Sequence, residues 1–122
     1  VLATESDFGA RTIWKLDSNV NPDANSFIDE IGKIIQPLGI VRGGSDVVGG
    51  GPDIKYMAEA GVPTIRLNQN GMDYFDYNHT PDDTLDKIDP EELKQNVAAY
   101  VVAAYLAADA DADFRLPVKE QE

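Results

Sequence analysis

The chain has 122 residues, 43% of them hydrophobic, which suits one domain with a single core and is too apolar for a disordered segment. Asp and Glu number 22 against 10 Lys and Arg, and the resulting net charge of -12 argues against nucleic acid or an anionic membrane as partner while tolerating cations. With no cysteine there is neither a disulfide nor a thiolate metal site, and no apolar run approaches the ~20 residues of a membrane helix. No basic stretch followed by an apolar one opens the chain, so no signal-peptide pattern is present. A start at Val1 rather than Met, directly on an apolar run, leads one to expect a processed precursor or a fragment.

In chain order, Val1 to Thr4 reads as a buried strand ending in the polar cluster Glu5-Ser6-Asp7, and Thr12 to Leu16 as a second short strand. Asn21-Pro22 is a helix start, with apolar residues then recurring from Ala24 to Ile35 at helical spacing until Pro37 enforces a stop. Ile40 and Val41 suit a short strand. The glycine-rich stretch from Gly43 to Gly51 must be loop, and a mobile one. Pro52 to Ala60 reads as a short helix with Ile54, Met57 and Ala58 turned inward, and Val62 to Leu67 as the next strand.

A polar and aromatic loop follows from Asn68 to about Lys87. Asp89-Pro90-Glu91-Glu92 then makes a capping box for a long helix, with Leu93, Val97, Tyr100, Val101, Ala104, Tyr105 and Ala108 on one stripe. Helices alternating with short apolar strands predict an α/β sandwich over residues 1–109, followed by an acidic and polar tail, 110–122, expected to fray.

Three places in this pattern are candidates for chemistry. The first is Glu5-Ser6-Asp7-Phe8-Gly9, at the carboxyl end of the opening strand, where open α/β sheets bind their ligands. Glu5 and Asp7 there are either metal-binding carboxylates or simply a polar strand end. The second is Tyr77-Asn78-His79-Thr80, followed by Asp82-Asp83. His79 is the chain's one histidine, and a neutral imidazole is the commonest metal ligand. Nearby aspartates can ligate or fix its tautomer, or merely form turns. Asn78-His79-Thr80 also spells a glycosylation sequon, a weak match. The third is the glycine-rich loop Gly43 to Gly51, leading into Pro52-Asp53; it lacks the lysine of a phosphate-binding loop and the order of a dinucleotide fingerprint, and suits a flexible substrate-facing loop or a simple connector.

ESDFGA, QPLGI, GGGPDIKYMAEAGVPTIRL, YFDYNHTPDDTLDKIDPEEL and VAAYVVAAYLA, in that order, resemble the C-terminal part of M28 metallopeptidases, most of all the carboxypeptidase-Q branch. The likeness runs from Val1 to about Asp109. It implies the C-terminal portion of a three-layer α/β/α zinc-exopeptidase fold and a secreted or periplasmic protein. It also implies hydrolysis of peptides from one end, as an aminopeptidase, carboxypeptidase or dipeptidase. Such enzymes hold two zinc ions about 3.5 Å apart, so that both act on one displacement. By the resemblance Asp7 and His79 are ligands of different zincs, Glu5 being the rival at the strand end. Asp53 matches a substrate-pocket aspartate, and Tyr77 reaches the developing oxyanion.

The chain departs from the family in having no second histidine, bridging aspartate, glutamate ligand or general-base glutamate upstream. It is therefore expected to need the missing N-terminal part of the domain and to be inactive alone; a homo-oligomer is compatible with the likeness. The rival from another class is a non-catalytic acidic module that holds calcium through Asp82-Asp83-Asp86 or Asp109-Asp111-Asp113, since hard cations take oxygen ligands. Neither cluster has the spacing of an EF-hand loop.

Overall fold

The computed structural model describes residues 1–47 and 51–117. Its sheet has three strands in the order β2 (Val41–Arg42), β1 (Ile13–Asn19), β3 (Thr64–Gln69). β1 runs parallel to β2, with Lys15 opposite Val41, and antiparallel to β3, with Leu16 opposite Leu67 and Ser18 opposite Ile65. The parallel pair needs a crossover, which α1 (Asn25–Ile35) supplies. Asn21 begins it as the sequence predicts: its side-chain oxygen accepts from the Asp23 N–H (3.1 Å) over a 3₁₀ turn, Pro22–Ala24, that feeds the helix. α1 ends at Ile35, and Pro37 sits in a second 3₁₀ turn, Gln36–Leu38.

Ile28, Ile31 and Ile35 from α1 are fully buried against Ile13 and Leu16 of β1, Leu67 of β3 and Ile40. Each such side chain contributes on the order of 1.5–3 kcal/mol by leaving water. α4 (Pro90–Asp109), capped by Asp89 accepting from the Glu91 N–H at 2.8 Å, closes the same core. α1 and α4 thus make one helical layer. On the other sheet face Trp14 and Arg66 stand exposed, so the described residues form a sheet with helices on one side rather than a full three-layer sandwich.

Several expectations change. Val1–Thr4 is not a strand but an extended lead-in joined to β3 by one parallel bridge, Ala3 to Thr64. β1 begins at Ile13 and continues past Leu16 to Asn19. The loop from Gly43 is not free as far as Val47. The Gly43 N–H donates to the Leu16 carbonyl (2.7 Å), Ser18 N–H to Gly44 (2.9 Å) and Val47 N–H to Ser18 (3.1 Å). Val48 to Gly50, the rest of the glycine run, lie outside the described residues. α2 spans only Lys55–Glu59 and buries none of its residues, Met57 included.

The α4 stripe differs most. The helix buries Asn96, Ala99 and Ala103, and leaves Leu93, Val97, Val101 and Tyr105 exposed. Polar anchors set this rotation. Gln95 takes the Ile13 N–H on its Oε1 (2.8 Å) and donates through Nε2 to the Ile13 and Leu38 carbonyls (2.7 and 3.1 Å). Asn96 Nδ2 donates to the Arg11 carbonyl at 2.8 Å. The tail is pinned further than expected. Phe114 is buried edge-on to Phe27 (5.6 Å between centroids), and its carbonyl accepts from the Asn21 N–H.

Asp17 of β1 is 3% exposed beneath the Gly43-Gly44 turn. Burial works against its charge, but the Gly44 N–H (2.8 Å), Lys15 (3.2 Å) and the Asn68 amide (3.0 Å) outweigh that and hold the carboxyl below the usual carboxylate range.

Candidate metal-ligand cleft

The lead-in carries Glu5 and Asp7 out of the sheet beside β3, and the two carboxylates meet different surroundings. Glu5 Oε2 accepts from the Asp53 and Ile54 N–H groups, at 3.1 and 3.3 Å, ahead of α2. Gly51 lies at φ +124°, with the Glu5 carboxylate where a Cβ would stand, so any side chain there would displace it. The Glu5 backbone carbonyl accepts from Tyr100 Oη at 3.0 Å; burial pushes that phenol up despite the Ser6 and Thr4 hydroxyls. Asp7 is exposed and makes no side-chain hydrogen bond among the described residues. Glu5 thereby spends one carboxylate oxygen on backbone while its Oε1 is buried without a partner among the described residues, and Asp7 is the carboxylate left facing outward.

The long loop after β3 is partly ordered. It contains a one-turn helix, α3 (Tyr74–Tyr77), and a 3₁₀ turn, Leu85–Lys87. Between them the Thr80 N–H returns to the Tyr77 carbonyl (2.9 Å), and the Thr80 hydroxyl donates to the same oxygen (2.6 Å). With Asn78 at φ -52°, ψ 124° and His79 at φ +58°, Tyr77–Thr80 has the dihedral pattern of a type II turn. His79 occupies the corner that such turns reserve for glycine. It is the only non-glycine residue at positive φ among the described residues. Left-handed non-glycine backbone costs roughly 1–2 kcal/mol and clusters at functional sites.

The two segments meet. Ser6, Asp7, Gly9, Ala10 and Arg11 form one wall of a cleft of about 340 Å³, and Asp73, Tyr74, Tyr77 and Asn78 form the facing wall. Asp83, Asp89 and Glu92 add carboxylates against Arg11 and Lys87, so the cleft favours cations. Arg11 is already engaged, 3.3 Å from Asp73 and 3.9 Å from Glu92. Tyr77 has the Lys87 ammonium 5.9 Å from its ring. His79, next in the chain after the Asn78 wall, is itself exposed and outside that wall. Asp53 is exposed too, linked to Glu5 only through its N–H.

An imidazole and a carboxylate are donors zinc accepts, but zinc takes about four ligands. Among the described residues no three His, Asp or Glu side chains gather closely enough to hold an ion. The donor types fit; their number falls short. In the two acidic clusters some carboxylates are already partnered. Asp86 pairs with the Thr84 hydroxyl and Lys87, and the Arg115 guanidinium holds Asp113 down at about 2.

Sequence reasoning missed the aromatic contact between the Asp7 segment and α3. The Phe8 and Tyr74 rings stack at 4.5 Å, with Phe75 edge-on to both. Isolated aromatics in loops have no period to betray a partner. The one local signal was Gly71, where the Phe8 ring fills the space a side chain would need.

The model of Peptidase family M28 matches residues 6–105. The chain belongs to peptidase family M28. It is 31% identical to mouse carboxypeptidase Q over 110 residues, which are 90% of this chain and 23% of that protein. With human carboxypeptidase Q the identity is 32%, over 88% of this chain and 22% of that protein. The crystal structure of a peptidase M28 precursor from Shewanella amazonensis superposes with a TM-score of 0.89 at 46% identity, covering 97% of this chain and 27% of that one. The chain thus spans less than a quarter of the length of the carboxypeptidase Q relatives it matches.

Proposed function

We propose that this chain is the C-terminal part of a zinc-dependent M28 exopeptidase domain and supplies it with two metal ligands, Asp7 and His79. The observation that carries the reading is the meeting of Asp7 with Tyr77 and Asn78, the two residues that lead into His79, at one acidic cleft within the region matched by the family. The remaining ligands and the general-base glutamate come from the preceding part of the domain, which also completes the three-layer sandwich. The outward apolar stripe of α4 and the exposed Trp14 sheet face are surfaces suited to such a complement. A secreted or periplasmic location goes with the same reading. Among the described residues no helix is long and apolar enough to cross a membrane.

Within such a site zinc supplies an acidified water and polarises the scissile carbonyl. What this chain does is narrower. Asp7 offers an outward carboxylate, and His79 offers an exposed imidazole on the corner of the turn. Tyr77 stands at the cleft wall for the oxygen that gains charge, and Asp53, exposed beyond that wall, is the residue the family likeness assigns to the substrate pocket.

A chimera tests this. Put in place of the corresponding quarter of the Shewanella peptidase, the chain should support dipeptide hydrolysis, and Asp7→Asn or His79→Ala should each lower kcat/KM by at least about 100-fold, the upper cost already known for partners one step removed from a metal. Full activity in both variants would defeat the ligand assignment. The 122-residue chain alone should show no turnover above a chelator-treated control.

A further inference from the structure

Asp7 and His79 lie far apart in sequence, on segments that share no strand pairing, so something must hold those segments together. We infer that the stacked pair Phe8 and Tyr74 is a positioning clasp that fixes the Asp7 turn against the helix leading into the His79 turn. Its purpose rests on the metallopeptidase reading above.

Phe8 directly follows Asp7, and Tyr74 begins α3, whose last residue, Tyr77, opens the turn bearing His79. The rings lie 4.5 Å apart with 25° between planes, a stacked arrangement. Phe75 meets Phe8 at 6.2 Å and 78° and Tyr74 at 5.0 Å and 85°, bracing the stack from its edge. Gly71 makes room, because any side chain there would occupy the space of the Phe8 ring. A second tie runs parallel to the stack, from Arg11 to Asp73 at 3.3 Å.

None of these aromatic rings belongs to the hydrophobic core, and Phe75 is 77% exposed. Three rings held against one another outside the core contribute little to it and much to the relative placement of the two segments. They act through Asp7 and His79 rather than on substrate, which makes them positioning residues.

The test needs neither metal nor substrate. The chain has no cysteine, so Asp7→Cys and Asp76→Cys, both at exposed sites, accept a pair of spin labels without competing thiols. Pulsed electron resonance should give one narrow distance distribution. Phe8→Ala should broaden it at least about two-fold by freeing a locally weak unit, while the melting temperature falls by no more than about 8 °C, the shift for one lost contact. Phe8→Tyr, which keeps the stack, should restore the narrow distribution.

An unchanged width in Phe8→Ala overturns the clasp. If that variant melts much lower, Phe8→Leu takes its place, since it keeps apolar volume but not the stack; a narrow distribution there also overturns it. A failed chimera would instead count against the peptidase reading and leave these distances untouched.

Discussion

α1 and α4 are both helices with apolar residues at helical spacing, yet one buries its stripe and the other turns most of it to solvent. In α1, Ile28, Ile31 and Ile35 are fully buried, and the opposite face carries Asp29, Glu30 and Lys33. In α4 the larger apolar residues Leu93, Val97, Val101 and Tyr105 face outward, and the buried line is Asn96, Ala99 and Ala103. Hydrophobic periodicity locates a helix but selects its buried face only where polar residues have no better use inside. Gln95 and Asn96 do have one: they answer backbone groups of Ile13, Leu38 and Arg11, which would otherwise lose hydrogen bonds on burial. Alanines on the same side then let the helix approach closely.

This contrast can be broken or sharpened by substitution. Ile31→Ala removes a fully buried side chain and should destabilise the chain by about 3 kcal/mol, within the usual spread of such deletions, read from urea denaturation. Recovery of wild-type stability would mean that α1 is not the main buttress. Overpacking α4 with Ala103→Leu should cost less, roughly 1–3 kcal/mol, because the site is filled by the facing elements. If Ala103→Leu stabilises the chain instead, the helix sits further from the sheet than described. Smallest of all, Val97→Ser and Val101→Ser should each change stability by no more than about 0.5 kcal/mol, as exposed positions do. A loss as large as that of Ile31→Ala would show that the stripe is buried in the isolated chain.

Much of the fold was legible. The α1 start at Asn21-Pro22, the α4 cap at Asp89-Pro90, the β3 region and the short strand at Val41 stand close to where the residues predict them. What escaped was tertiary. Val1–Thr4 has the composition of a strand but gains only one bridge to the free edge of β3, Ala3 to Thr64. The Gly43–Val47 segment looked free, since glycine-rich sequence signals flexibility and says nothing of carbonyls waiting along β1. At the site, the family likeness proposes Asp7 and His79 as ligands, and the structure brings Asp7 to the same cleft as Tyr77 and Asn78 while leaving His79 exposed outside its wall. The division of labour between Glu5 and Asp7 was not legible, because it depends on which carboxylate reaches the Asp53 and Ile54 N–H groups.

The turn at Tyr77–Thr80 has a bearing on how this sequence can be improved. His79 stands where glycine would relax the backbone, so a design procedure scoring foldedness alone is drawn to replace it. That replacement removes the chain's sole imidazole. On the ligand role proposed for His79, a sturdier scaffold and a competent ligand are opposing goals at this position, and that proposal asks any consensus or thermostabilising redesign to hold residue 79 fixed before it starts.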